Sequence, residues 1–540
     1  MPSGAQIVVR ELEGAGVEVV FGLPGVHNLP LWEALRTSSI RLVGVRHEQA
    51  AAYAADGYAR ATGRLGVALT TTGPGAANTL GAVGEAFASR SRVLVIATDI
   101  PSTLRQEGSY RGVLHETRDQ AGMFAPVVTA SHVVRRSGDL GDAVRDAWLD
   151  ASSGPVYLEI STDLLSAAAE ASESSNDLED WGRGFKMHGR PDPRPLIAAA
   201  ERPLIWVGRG AFDEGEPEDV VALAEALAAP VIESYGGRGV MPLEHPCRVG
   251  MPPHMPSVGA LWDEADLVIS VGSLLDGMNT QNWLQPRPPT LLAWRHPEPA
   301  GYEPDMWFDL PELWGELGGP REPWADIRHV RAEACAQLDA RADRFLDALA
   351  FALPEDANVV CDMCIPGYWI GGFYPFPAPR KLAYPVGWGT LGFAFPAALG
   401  TALAGTGPTV SISGDGGFLF ACGELATVAQ EQIPLTAVIV DDGGYGMLRY
   451  DQDLAGSERF GVDLQTPDFA GLASAFGVRA ETVEGLDEAF GEALAAHVAD
   501  PAPSVLVVNA EALVPPPTTS PNWYRRKSPL GRPAGTSVTG

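Results

Sequence analysis

The sequence predicts an α/β protein of three domains, each a parallel sheet covered by helices. Its 540 residues, 46% of them hydrophobic, exceed what one compact domain holds. Short β-branched runs alternate with helical patterns, the signature of parallel sheets with crossover helices. The alternation breaks twice, at an Ala/Ser/Glu-rich stretch from Ser166 to Phe185 and at a charged helical stretch from Arg328 to Leu349. These breaks set expected domains at 1–170, 190–330 and 345–512.

In the first domain, strands are predicted at Val17–Phe21, Ile40–Val45, Val67–Thr72 and Val93–Ala97. The stretch from Ser166 to Phe185 has no apolar period and reads as a linker. The second domain opens on the strand Pro203–Gly208. A helix over Glu218–Ala228 follows, then strands at Pro230–Glu233, Leu267–Val271 and Thr290–Ala293. A third α/β unit runs from Asn358 to Asn509. The Pro/Ser/Gly-rich tail from Val514 to Gly540 reads as extended or mobile.

Composition excludes several function classes. A formal net charge of −30, with no Lys/Arg cluster to offset it, opposes docking on nucleic acid or anionic lipid. No stretch approaches the ~20 apolar residues of a spanning helix. Met1 to Gly14 has neither a basic start nor an apolar signal core, so a cytoplasmic protein with no membrane partner is expected. Five cysteines are too few, and odd in number, for a disulfide framework. Cys361 and Cys364 form a C-x-x-C with no second pair at zinc-site spacing, and read as buried or loop cysteines.

The densest chemistry lies in the third domain. A strand at Thr409–Ser413 runs into Gly414-Asp415-Gly416-Gly417, then a helical pattern from Glu424 to Gln432, then a strand at Leu435–Val440 ending in Asp441-Asp442. A right-handed crossover makes the two strands parallel and brings Asp415 and Asp442 to one carboxyl edge, where ligands bind in open α/β sheets. Mg²⁺ is usually held by one or two carboxylates plus phosphate oxygens. Gly414, Gly416 and Gly417 leave N–H groups unobstructed at a helix N-terminus, which suits a phosphate. Gly-Asp-Gly alone fits any strand-to-helix turn. The second acid pair, 442 − 415 = 27 residues on, favours a diphosphate bridged through Mg²⁺.

Gly-Asp-Gly followed at this distance by a polar pair and Tyr-Gly resembles the thiamine diphosphate motif of the acetolactate synthase and 2-oxo acid decarboxylase family. Three further segments are similar to the same family: Arg46–Arg60, Thr71–Asn78 and Gly387–Gly400. The resemblance runs from about Ala5 to Ala510. It implies a thiamine diphosphate-binding fold, with a pyrimidine-binding first domain, a central domain and a diphosphate-binding third domain. It further implies Asp415, Asp442 and the Gly444 carbonyl as metal ligands, with Tyr445, Gly446 and Met447 beside the diphosphate. Pro24, Gly25, Pro74 and Asn78 would also line the cofactor. Glu48 would exchange a proton with the aminopyrimidine ring nitrogen, so that the ring's imino form can take the proton from the thiazolium carbon. Such a carboxyl group should be partly buried. Leu391 matches the apolar wedge that bends the cofactor, and the Gly389 carbonyl matches the acceptor for its amino group. The family commonly has Asn-Asn where this chain has Asp441-Asp442; the extra charge should hold the cation more tightly and repel the diphosphate. Glu48 and Asp415 lie in different domains, and in the family one cofactor contacts both across a subunit interface. The resemblance therefore implies a homodimer at least, with a tetramer as the expected assembly.

The shared step of the family is decarboxylation of a 2-oxo acid through an enamine, which is then protonated to an aldehyde or attacks a second carbonyl. His27 and His115 are the acid–base candidates near the substrate. The segment Leu114-His115-Glu116-Thr117-Arg118-Asp119-Gln120 resembles the 5-guanidino-2-oxopentanoate decarboxylase branch, whereas acetolactate synthases usually carry Phe-Gln-Glu there. Non-oxidative decarboxylation is the expected activity, with Glu116 or Asp119 as candidates to face a cationic substrate tail. Acetolactate-type carboligation and a noncatalytic cofactor-binding homologue are the alternatives. Acetolactate synthases also hold FAD in the central domain. Here Gly208-Arg-Gly210 lacks the third glycine of a dinucleotide fingerprint and Leu274 replaces the family's arginine, which speaks against FAD.

Overall fold

The computed structural model describes residues 1–106, 108–169, 192–213, 217–294, 301–308 and 321–519. Three all-parallel sheets are present. The first holds β1 (Val19–Gly22), β2 (Arg41–Gly44), β3 (Gly66–Thr70), β4 (Val93–Asp99), β5 (Ala130–Val134) and β6 (Val156–Ser161), in the order β2-β1-β3-β4-β6-β5. The second holds β7 (Pro203–Val207), β8 (Val231–Glu233), β9 (Leu267–Val271), β10 (Thr290–Trp294) and β11 (Met306–Phe308), in the order β11-β10-β9-β7-β8. The third holds β12 (Asn358–Cys361), β13 (Leu382–Ala383), β14 (Thr409–Gly414), β15 (Leu435–Asp441), β16 (Arg479–Glu484) and β17 (Ser504–Asn509), in the order β13-β12-β14-β15-β17-β16. The first and third sheets thus share one strand order; each changes direction between β1 and β3 or between β12 and β14, and again at the far edge, where β5 lies outside β6 and β16 outside β17. Such switch points open a crevice at the carboxyl ends of the strands. The loops that carry the chemical motifs leave the sheets there.

The inner strands are rich in β-branched residues and buried on both faces, as parallel sheets require, whereas the edge strands β2, β5 and β16 are partly exposed. Strands β5 and β6 carry no marked signal in the sequence. The charged stretch from Arg328 to Leu349 is two helices, Ile327–Cys335 and Ala340–Ala352, because the Asp339 side chain accepts the N–H groups of Arg341 and Ala342 and starts a second helix. The linker stretch begins on a short helix, Thr162–Ser166; its later residues, from position 170, lie outside the described residues. Val514 is anchored, its carbonyl accepting the Trp369 indole N–H at 2.8 Å. The tail beyond position 519 is also outside the described residues.

One contact fixes the first and third sheets relative to each other. The Ala-rich helix Glu48–Thr62 packs against the helix Ala394–Leu403 at backbone distance. A Cβ on Gly57 would fall on the Ala397 carbonyl, and one on Gly400 would fall on the Ala54 carbonyl. Tyr53 meets Phe393 edge-on at 5.5 Å and its hydroxyl hydrogen-bonds Thr390 at 2.6 Å, whereas Thr401 donates to the Gly57 carbonyl at 3.2 Å. Arg41 at the start of β2 reaches Glu431 and the Arg46 N–H just past its end reaches Glu424, so β2 runs against the helix Leu425–Glu431 and alongside β14; the helices that return along these two strands, Glu48–Thr62 and Ala394–Leu403, therefore run in the same direction. Their N-termini lie at one end, and Glu48 is the first residue of one of them. The central sheet is tied to the first by Arg209, which donates to the Arg90 carbonyl at 2.6 Å and the Ser91 hydroxyl at 3.0 Å.

Gly400→Ala is expected to force these helices apart, destabilising the chain by about 1–3 kcal/mol. Thermal unfolding should show a midpoint several degrees lower; an unchanged midpoint would mean that the backbone contact is not needed.

Candidate active site

At the carboxyl edge of the third sheet, beside its switch point, β14 and β15 pair in register from Thr409–Leu435 to Gly414–Val440, so Asp415 and Asp442 leave adjacent strand ends. Asp415 is buried. One of its oxygens accepts the Gly416 N–H at 2.5 Å and the other the Gly444 N–H at 2.7 Å. Burial, with repulsion from Asp442 and Asp441, pushes its carboxyl group up to about 7. Asp442 is pushed up to about 6, again mainly by burial, although Arg449 pulls the other way. That guanidinium donates to the Asp442 carbonyl at 3.0 Å and its carboxylate at 3.1 Å. Asp441, which also faces Asp415, accepts from the Gly443 N–H and the Thr466 hydroxyl. Tyr445 lies over the glycine turn, where a Cβ on Gly416 would meet its ring at 2.6 Å. The Gly444 carbonyl accepts the Gly446 N–H at 3.0 Å, and Met447 is half-buried on the helix Gly446–Leu454.

The segment bearing Gly389 and Leu391 leads into the helix Ala394–Leu403. Gly389 has φ +75°, and a Cβ there would meet nothing within 4 Å; Leu391 is 36% exposed. This turn is held from below by Asp362, which carries no motif in the sequence. It follows β12 as Asp415 follows β14, so its place at a carboxyl strand end is the signal that could have found it. Its buried carboxylate accepts the Gly392 N–H at 3.0 Å from both oxygens and the Met363 N–H at 2.9 Å. It also lies under the glycine turn, 2.7 Å from a Cβ on Gly417. Burial raises it to about 6, against the pull of the N–H groups of Met363, Gly392, Phe393 and Ala394.

At the first sheet's switch point, Glu48 is buried at 8% exposure, as expected of it. Asn78 donates to its Oε2 at 3.0 Å, and its Oε1 lies 3.4 Å from where a Cβ on Gly75 would stand. Pro74 starts the short turn Pro74–Ala77 that leads to Asn78. Pro24 and Gly25 follow β1; a Cβ on Gly25 would meet Thr71 at 2.6 Å, so the loops after β1 and β3 touch.

The structure brings His27 and His115 together, with ring centroids 5.3 Å apart and edge to face. His27 Nδ1 hydrogen-bonds the Thr72 hydroxyl at 2.7 Å, and Thr72 in turn bonds Thr98 at 2.9 Å. Burial, then the neighbouring His115, pushes His27 below the ordinary imidazole range, opposed by Asp99. His115 has φ +67°, a conformation that costs a non-glycine residue about 1–3 kcal/mol, and its Nδ1 is buried with no hydrogen-bond partner. Gln120 anchors this loop, accepting the Gly73 N–H at 2.6 Å while donating to Tyr157 and Glu159. Asp119 is exposed and caps the helix Gln120–Phe124 through the Gly122 N–H. Glu116 accepts the N–H groups of Arg111 and Val113 with Oε2, while its buried Oε1 has no partner. Among the described residues, no hydrogen bond or ion pair joins His27, Glu48, Asn78 or His115 to Asp415, Asp442 or Leu391 of the same chain.

Two sheets of identical strand order, one presenting a buried acid and the other a carboxylate pair beside a glycine turn, are the halves of a coenzyme-dependent enzyme. Residues 2–123 match the family described as thiamine pyrophosphate enzyme, N-terminal TPP binding domain; residues 194–294 match its central domain and residues 364–508 its C-terminal TPP binding domain. A probable 2-ketoarginine decarboxylase, AruI, from Pseudomonas aeruginosa is 35% identical, over 90% of this chain and 90% of its own length. Acetolactate synthase isozyme 3 large subunit from Escherichia coli is 31% identical, over 88% and 89%. A probable acetolactate synthase large subunit from Methanocaldococcus jannaschii is 29% identical, over 90% and 88%. This chain belongs to the thiamine pyrophosphate enzymes, and it is an enzyme of their decarboxylase and acetolactate synthase type. Among the described residues, no helix is long and apolar enough to cross a membrane.

The carboxylate pair generates a pH prediction. Unfolded, both carboxyl groups lose their protons near 3.8; folded, Asp415 and Asp442 keep them to about 7 and 6. Between those values only the unfolded chain has shed the protons, so the coenzyme-free protein loses stability as pH rises through this window. Asp442→Asn removes one charge, and its Oδ1 can still accept from Arg449. It is expected to stabilise the coenzyme-free protein at pH 8 by on the order of 1 kcal/mol, and hardly at all at pH 4. Equal unfolding temperatures at pH 8 would show that the pair does not repel.

Proposed function

We propose that this chain catalyses the non-oxidative decarboxylation of a 2-oxo acid bearing a cationic, guanidino-type tail, releasing an aldehyde, with thiamine diphosphate and Mg²⁺ bound. The observation that carries the reading is the pairing of His27 with His115 on the same switch edge as Glu48. Two nitrogen acids placed there can protonate the carbon that loses CO₂, which ends the reaction as an aldehyde rather than a new carbon–carbon bond. The similarity to a probable 2-ketoarginine decarboxylase supports the tail. So does the unpartnered Glu116 Oε1 next to His115, rather than Asp119, whose carboxylate is a helix cap. A net charge of −30 would also favour the approach of a cationic group.

The residues fit the metal and coenzyme. Asp415 is buried and Asp442 half-buried, and a divalent cation would relieve their mutual repulsion. That suits Mg²⁺, which two carboxylates and the Gly444 carbonyl would hold, leaving positions for phosphate oxygens. When bound, thiamine diphosphate supplies the electron sink for decarboxylation. Glu48, fixed by Asn78 through Oε2, keeps Oε1 free to exchange a proton with the pyrimidine ring. His27, tied to Thr72 through Nδ1, keeps Nε2 for the substrate. Pro24, Gly25 and Pro74 shape the pyrimidine side, while Gly389, Leu391, Gly414, Gly416, Gly417, Tyr445, Gly446 and Met447 shape the other.

Two copies of the chain are needed for a complete site in this reading. Exposed apolar side chains stand on both edges, Val26 and Leu114 on one, Leu391, Phe420 and Leu448 on the other, and a second copy would cover them. All five cysteines are free thiols, which supports a cytoplasmic setting.

A panel of 2-oxo acids, followed by release of CO₂, aldehyde and acyloin, tests the reading. 5-Guanidino-2-oxopentanoate should give aldehyde and CO₂ in equal amounts, and turnover of pyruvate to an acyloin would instead establish carboligation. Glu48→Gln should retain the coenzyme yet lose turnover by about 10²–10⁴-fold; near-normal turnover would remove Glu48 from the chemistry.

A further inference from the structure

Glu424 is a buried acid, 2% exposed, outside every motif that the proposed chemistry uses. It ends the short turn Cys422–Glu424 and precedes the helix Leu425–Glu431, 424 − 415 = 9 residues after Asp415. Its carboxylate nevertheless belongs to the other half of the site. Oε1 accepts the Arg46 N–H at 2.9 Å and the His47 N–H at 3.0 Å, and Oε2 accepts the Thr427 hydroxyl at 2.5 Å. Arg46 and His47 are the two residues before Glu48.

Backbone accounting shows what this does. Val45 donates to the Gly22 carbonyl as the ladder ends, Gln49 to the His47 side chain and Ala50 to the His47 carbonyl. The two N–H groups in the middle of the turn depend on Glu424. Arg46 adds a side-chain bond to Gln430 at 2.7 Å, and Arg41 reaches Glu431 at 3.5 Å, so one helix of the third sheet braces the whole strand-to-helix corner. Without that acceptor two partly buried donors lose their partner within the protein and the corner loses its tie to the third sheet.

We propose that Glu424 is a positioning residue for Glu48: by accepting both N–H groups it fixes the start of the helix and so the direction of the Glu48 carboxyl group. The inference rests on the reading of Glu48 as the group that exchanges a proton with the coenzyme. It assigns Glu424 no proton of its own. What matters is reach and acceptor geometry, which two conservative substitutions separate. Glu424→Gln keeps an oxygen for both N–H groups and can donate from its amide to Thr427, but loses the charge. Glu424→Asp keeps the charge and falls one methylene short.

The test measures, at saturating thiamine diphosphate and Mg²⁺, the rate of proton exchange at the thiazolium carbon and kcat, together with backbone hydrogen exchange of residues 44–50 in the coenzyme-free protein. Glu424→Gln should stay within about threefold of the parent in both rates, and Glu424→Asp should fall by about 10²-fold with KM nearly unchanged. The amides at 46 and 47 should exchange faster in Glu424→Asp alone. Equal loss in both variants would assign the effect to charge and overturn the proposal, as would normal rates in Glu424→Asp. If the parent itself shows no accelerated exchange at the thiazolium carbon, Glu48's role fails and the positioning role falls with it. Protection retained at 46 and 47 would then identify that failure as one of the coenzyme reading.

Discussion

The architecture depends on two helices pressed together at backbone distance. Because Gly57 and Gly400 carry no side chains, the helices starting at Glu48 and Ala394 lie carbonyl against glycine and point the same way. Each begins at the carboxyl edge of its own sheet, so the contact aligns those edges. The corners that approach it carry N–H groups with no partner of their own. Acids from elsewhere in the third sheet supply the acceptors: Asp362 serves the turn before Ala394, and Glu424 serves the corner before Glu48.

This leaves the acids in three distinct conditions. Asp362 and Glu424 are surrounded by N–H and hydroxyl donors, which offset part of their desolvation. Asp56 and Asp99 are neutralised by arginines instead, Asp56 by Arg60 at 2.7 Å and Asp99 by Arg105 and Arg135. Asp415 and Asp442 differ. They repel one another across adjacent strand ends, and Arg449 serves only one of them. A site left under such repulsion in the free chain is one that gains when a divalent cation arrives. The histidine pair follows the same logic at the opposite edge, where a strained backbone at His115 is held by Gln120 and the close passage of Gly73.

Much of the fold was legible in the sequence because buried parallel strands leave continuous β-branched runs, and the acids at the ends of β14 and β15 were marked by the glycines beside them. The strand, helix and strand around Asp415 and Asp442 follow from spacing alone. Other features were hidden for identifiable reasons. Strand β6 contains Glu159, a charge that reads as surface but is buried against Arg135 and Gln120. The break at Asp339 was masked by the even charge of the helices around it. Asp362 and Glu424 are single acids whose partners are backbone groups 30 and 377 residues away, and no local pattern records such a bond. The shared strand order of the first and third sheets is a property of topology that two dissimilar sequences conceal.

The central claim is that one coenzyme is completed by the Glu48 edge of one chain and the Asp415 edge of another. Mixing two inactive variants, Glu48→Gln and Asp415→Ala, after dissociation and reassembly tests it most directly. If each site draws its halves from different chains, a mixed dimer regains one intact site, and the mixture should recover about a quarter of the parent activity at equal proportions. If the mixture stays as inactive as its components, while parent protein taken through the same treatment recovers, the two edges do not meet across chains and the account is wrong.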